Sequence, residues 1–221
     1  MNGPVDDTEF SKLSNCVRLL TRLLPYVFEI PGRGLERELF WQEYEAHDKQ
    51  TGHRLVKCLI EMLFLGGFTL PQLEAAPNSK SPQYVIWISG ICSTQDIVST
   101  NDQLLNRLES LRLLLTILSK SMYISAKNVI SFENKWVSAL EKLDRRAVLS
   151  VLCSLLNTFL RYDPVGYTGI LPYNYMVFAD NDEGLATVCL HTLIALLTYQ
   201  GQGLINSPLQ SCVLHFLLMS L

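Results

Sequence analysis

Leu104, Leu105, Leu108, Leu111, Leu114, Leu115 and Leu118 recur every three or four residues. That spacing lines one face of a helix and leaves a strand no consistent apolar side. The same period returns along most of the chain. In residues 11–29 it places Val17, Leu20, Leu23, Leu24, Val27 and Phe28 on one broad face, with Arg18, Thr21, Arg22 and Glu29 mostly on the other. Pro25 lies inside this segment and predicts a kink or break near Leu24, because proline has no N–H to donate. A helix over 53–65 is expected to stop at Gly66–Gly67. Thr100, Asn101 or Asp102 can cap the leucine-rich helix that follows. A short helix is expected over 136–143. Residues 144–161 then turn Val148, Leu149, Val151, Leu152, Leu155, Leu156, Phe159 and Leu160 inward. A narrow polar strip remains on that helix: Ser150, Ser154, Asn157 or Thr158, then Arg161. "YVIWISGI" at 84–91 reads as a buried helical turn in preference to a strand. Residues 1–10 are expected to form a disordered lead.

The fold class these patterns predict is all-α, one helical domain over 1–221. An irregular α-solenoid or helical-repeat-like array with long loops fits best, and a layered bundle is the alternative. No strict repeat period is visible, which argues against tetratricopeptide or ankyrin arrays.

Residues 184–221 contain no Asp, Glu, Lys or Arg. A membrane span needs roughly 20 apolar residues. Residues 185–199 are fewer and include Thr187, His191, Thr192 and Thr198, and "QGQG" at 200–203 interrupts the run. Buried helices facing further helices are expected here, with part of their cover supplied by missing downstream helices. The net charge of −3 and the absence of a basic cluster beyond Arg145–Arg146 give nucleic-acid binding no support. Cys16, Cys58, Cys153, Cys189 and Cys212 sit in apolar runs, as reduced core cysteines do, and Cys92 completes the set. "MNGPVDDTEF" has neither a basic nor an apolar section and is no secretory signal.

Catalytic candidates are few. His47 and His53 are spaced wrongly for zinc. His191 and His215 lie in apolar helices and read as core residues. No phosphate-binding loop, dinucleotide turn, nucleophile elbow or zinc-protease helix is present. The cysteines lack the polar, electropositive setting that favours thiolate. No catalytic residue, cofactor site or metal site is therefore expected. The most unusual stretch is "YDPVGYTGILPYNYMVFADND" at 162–182. Asp163, Pro164 and Gly166 make a turn, while Tyr162, Tyr167, Tyr173 and Tyr175, with Pro172, offer apolar faces with polar tips. The stretch reads first as an interhelix connection folded over the ends of its helices. It is also the candidate docking loop for a protein partner.

Several segments occur together in one order: "NCVRLLTRLLPYVFE" (15–29), "LFW" (39–41), "LRLLLTILSKSMY" (111–123), "VLSVLCSLLNT" (148–158) and "YDPVGY…LPYNYMVFAD" (162–180). Together they resemble the N-terminal part of the high-temperature-induced dauer-formation protein family, which is related to dymeclin, and their wording is nearest to fungal-type members. The resemblance implies a non-enzymatic, largely helical peripheral protein on the cytosolic face of Golgi and trans-Golgi membranes. Such proteins act in vesicle trafficking and secretory-cargo sorting by recruiting protein partners, and the family has no catalytic residues to carry over. Members are longer, so the chain is expected to be an N-terminal part. Members also commonly begin Met-Gly with a later Ser or Thr, the signal for myristate. Asn2 and Gly3 depart from it, so membrane contact is expected to be peripheral at most. Two competing readings are a cytosolic enzyme with an unrecognised Cys/His site and an integral membrane protein anchored through 185–221.

Overall fold

The computed structural model describes residues 4–30, 34–42, 51–72, 81–129, 132–162 and 181–198. Six α-helices carry most of them: α1 (Pro4–Glu29), α2 (Thr51–Met62), α3 (Asn101–Leu118), α4 (Lys135–Glu141), α5 (Arg145–Arg161) and α6 (Asn181–Leu197). A π-helical turn at Arg37–Trp41 and a 3-10 turn at Ser119–Tyr123 complete the set. Among the described residues there is no strand, only isolated bridges at Gly66–Leu70 and Gly90–Ser93. The chain is predominantly helical.

Helix α3 is central, with α1 and α6 packed on it, α5 behind α6, and α2 joined to α4. Its leucine stripe explains only half of this. Leu108, Leu111, Leu114 and Leu118 are buried together with Arg107 on the same face, but so are Ser110, Leu113 and Ile117 beyond it. A helix buried nearly all round must satisfy its polar groups internally. Its start is the expected one, with Thr100 as the cap: Thr100 Oγ1 accepts from the Gln103 N–H at 3.3 Å, and Gln103 Oε1 accepts from the Thr100 N–H at 3.0 Å. This reciprocal box stabilises a helix start by about 1 kcal/mol.

Helix α1 departs from the expectation at its start. It begins at Pro4, so residues 4–10 are helical and not a disordered lead. Proline suits a first helical position because its missing N–H has no intrahelical acceptor there. The helix also runs through Pro25 to Glu29 without a break. Phe28 holds the segment beyond Pro25, buried against the rings of Tyr123 at 5.5 Å and Trp136 at 6.2 Å. Leu23, assigned to the inward face, is exposed.

Helix α6 buries Leu185, Ala186, Val188, Cys189, Thr192, Leu193 and Leu196, packing on α3 and α5. From Gly184 to Leu197 the lack of charge in this helix accompanies burial against protein. Among the described residues, no helix is long and apolar enough to cross a membrane. His191, expected in the core, is exposed on the outer side of α6. Cys16 and Cys58 are exposed as well, because they fall off the buried stripes of α1 and α2; Cys153 and Cys189 are buried as expected. Leu160 is exposed at 58%, outside the inward face of α5 to which it was assigned.

Residues 84–91 are the main correction. They form neither helix nor strand. They run irregularly across α5 and end in a tight reversal, where the Gly90 N–H donates to Ser93 O at 2.8 Å. Gly90 has φ +149° and Cys92 φ +61°, both in the region that favours glycine.

Candidate functional site

An irregular segment inside a helical core has backbone groups that no ladder satisfies. The polar strip of α5 meets that need. Ser154 Oγ accepts from the Trp87 N–H at 3.3 Å. Ser150 Oγ donates to Tyr84 O at 3.4 Å. Asn157 uses both ends of its amide: Oδ1 accepts from the Ile91 N–H at 2.8 Å, and Nδ2 donates to Ile88 O at 2.9 Å and Ile91 O at 3.1 Å. A Cβ on Gly90 would stand 2.7 Å from Asn157 Oδ1, so only glycine permits this approach. At the rim, Arg161 Nη1 donates to Ser89 Oγ at 3.0 Å and pairs with Asp96, whose carboxylate also accepts from the Ser89 N–H at 2.8 Å. The Arg161 and Ser89 bonds hold the Asp96 carboxyl well below the usual carboxylate range.

Two buried cations lie deeper. Lys120 donates to Phe28 O at 3.2 Å, stands 4.6 Å above the Phe28 ring and pairs with Glu36 Oε2 at 3.0 Å. Glu36 Oε1 accepts from Trp136 Nε1 at 2.8 Å and from Trp41 Nε1 at 3.3 Å. Both oxygens of that carboxylate are thereby committed to joining the 3-10 turn, the π turn and α4. Gly52 lets the Trp41 ring reach α2, since a Cβ there would come within 2.7 Å of it. Arg107, 1% exposed, donates through Nη2 to Thr69 O at 2.7 Å and Ser99 Oγ at 2.9 Å. Its guanidinium stacks 4.5 Å from the Trp87 ring. Burial lowers its pKa to about 10, which leaves it charged at neutral pH. Burial likewise pushes the Cys189 thiol up to about 12, against the opposing pull of Arg107. A thiol in that state is protonated at neutral pH and is a poor nucleophile. These polar groups serve the fold.

Two surface features stand out among the described residues. A cleft of about 360 Å³ is lined by Ile86, Cys92, Arg145, Arg146, Leu149, Ser150 and Cys153. The second is the outer face of α1, where Leu19 (57% exposed), Leu23 (47%) and Tyr26 (67%) stand in a row with Ile30 (42%) just past the helix end. Exposed Cys16 extends the row by one position. Among the described residues, no three His, Cys, Asp or Glu side chains gather where they could hold a metal ion.

Of the residues named for the candidate docking loop, only Tyr162 falls within the described residues, and Asn181 and Asp182 at the end of the stretch open α6. Tyr162 caps α5, with its N–H donated to Phe159 O at 3.3 Å. Asp163, Pro164, Gly166, Tyr167, Pro172, Tyr173 and Tyr175 lie outside them, as do His47, Cys212 and His215. The α1 row went unrecognised in the sequence because Leu23 was placed with the core stripe. The strict three-four spacing from Cys16 to Ile30 was the signal that marked it.

A model of the high-temperature-induced dauer-formation protein family matches residues 3–210. Protein HID1 of Homo sapiens is 32% identical over 220 residues, covering 90% of this chain and 27% of the human protein. Protein HID1 of Dictyostelium discoideum is 30% identical over 154 residues, which is 66% of this chain and 17% of that protein. A Schizosaccharomyces pombe relative, named Ubp5-interacting protein ftp105, is 34% identical over 138 residues, covering 60% of this chain and 14% of that protein. The chain thus spans about a quarter of the human relative's length (27%). No solved structure matches.

Proposed function

The chain belongs to the high-temperature-induced dauer-formation protein family, and from that premise we propose that it acts without catalysis, as a protein-binding helical part of a Golgi-associated scaffold. The observation that carries this reading is the exposed apolar row on α1. Glu36, Asn157 and the Arg107 Nη2 group have their partners within the fold, while Arg107 Nε and Trp87 Nε1 are buried without a hydrogen-bond partner among the described residues. A large apolar row left in solvent is a common mark of a protein contact. The fission-yeast relative whose name records an interaction with Ubp5 supports the same class of activity.

On this reading the helices described above belong to a longer, solenoid-like array in the whole protein. That protein sits peripherally on the cytosolic face of Golgi and trans-Golgi membranes and recruits partners for vesicle traffic and cargo sorting. The tyrosine-rich stretch at 162–182 is a second proposed contact. The test is the distribution in cells of the whole gene product, tagged at its C-terminus. Enrichment with Golgi markers is expected, released by alkaline carbonate into the supernatant. Uniform cytosolic distribution, or retention in the carbonate pellet, would overturn the proposal.

A further inference from the structure

We infer that the row Cys16, Leu19, Leu23, Tyr26 and Ile30 is a docking seam for an amphipathic helix of a partner protein, one carrying acidic residues along the flank that meets Arg18 and Arg22. This deepens the protein-binding reading and rests on it. The intervals along the row are three, four, three and four residues, the spacing of a two-helix seam. At 1.5 Å per residue the row runs for about 21 Å, or two heptads. The core of the protein does not need it. Val17, Leu24 and Phe28 bury the far side of α1, and half-buried Leu13, Leu20 and Val27 lie between them and the exposed row.

Charge identifies the occupant. Arg22 and Arg18 border the row on its polar side, and Lys12 stands one step beyond Cys16 at the next seam position. All three are exposed and make no ion pair among the described residues. Among the described side chains of α1, the exposed carboxylates are Glu29, near the far end, and Glu9, one step beyond Lys12, so Arg18 and Arg22 set the charge of the stretch between them. A helix with Asp or Glu on its flank answers those cations, as interhelical charge pairs do in coiled coils. A second copy of the chain would bring the same cations with it. A lipid surface fits less well, because a helix lying in a membrane spreads its apolar side chains over a broad face. Here the row is narrow and its reverse side is the protein core, so sinking it into lipid would drag in Asn15, Arg18 and Arg22.

The test uses the purified whole gene product and three probes. One is a synthetic helical peptide with Leu at three-four spacing and Glu on the flanks. The second is its Lys-flanked twin, and the third is vesicles of phosphatidylcholine with phosphatidylserine. The wild type is expected to bind the Glu peptide at least about tenfold more tightly than the Lys twin, a difference of about 1.4 kcal/mol. L19D/L23D is expected to lose that binding with an unchanged melting temperature, since both positions are exposed. R18E/R22E is expected to reverse the preference. Equal affinity for the two peptides, or indifference to L19D/L23D, would overturn the inference. So would vesicle binding through the row in place of peptide binding, or a dimer that L19D/L23D abolishes. Failure of Golgi enrichment leaves a selective peptide result standing, and failure of peptide selectivity leaves Golgi enrichment standing, so the two proposals fail separately.

Discussion

Asn157 holds three backbone groups of an irregular segment that lies 66 residues away in sequence. Removing its amide leaves the Ile91 N–H and the Ile88 and Ile91 carbonyls without their acceptor and donor. Buried polar groups so abandoned cost about 1–3 kcal/mol each, offset where the segment can shift toward solvent. Asn157→Ala is therefore expected to destabilise the protein by about 3 kcal/mol, read as the shift in a urea unfolding curve with the slope unchanged. Asn157→Asp should cost nearly as much, since it keeps one acceptor but loses both donated bonds. A loss below about 0.5 kcal/mol for Asn157→Ala, the range of ordinary surface changes, would show that the contact does not hold the segment.

Helices α3 and α5 were legible in the sequence because their signals are local. Thr100 and Gln103 form a cap within one turn, Asp144 accepts from the Arg146 N–H at 3.2 Å, and the leucine stripes repeat inside each helix. The polar strip of α5 was visible too, but its use was not. A strip of Ser150, Ser154 and Asn157 reads as a solvent edge until a distant segment is laid across it, and nothing local in "YVIWISGI" announces that its partner is a set of side chains. Gly90 carries its own requirement, and that requirement appears only beside Asn157. Leu23 shows the converse: the apolar arc of α1 is broad, and spacing alone does not separate its buried side from its exposed edge.

The outer end of the same contact titrates. Asp96 is held below its ordinary pKa, so its link with Arg161 stabilises the fold above the usual carboxylate range of about 4. The contribution is lost as pH falls below that range, because the unfolded state then takes up the proton first. Asp96→Asn is expected to flatten the acid side of the stability–pH curve and to leave its shape above about pH 6 unchanged. A curve parallel to wild type through the acid range would contradict the pairing.

At the scale of the whole molecule, α1 joins structure to function. One face, through Phe28 and Val17, closes the core around α3, Lys120 and Trp136, and the other presents an unspent apolar row to the surroundings. The chain spans 27% of the human relative's length, so the helices around α3 correspond to one section of that relative. The most direct measurement replaces Leu23 with a photo-crosslinking phenylalanine analogue in the whole gene product, irradiates living cells, and maps the adduct by mass spectrometry. The account predicts a protein adduct, on a segment with apolar residues at three-four spacing and Asp or Glu along one flank. An adduct on lipid, on a second copy of the same protein, or on segments without that pattern would contradict it.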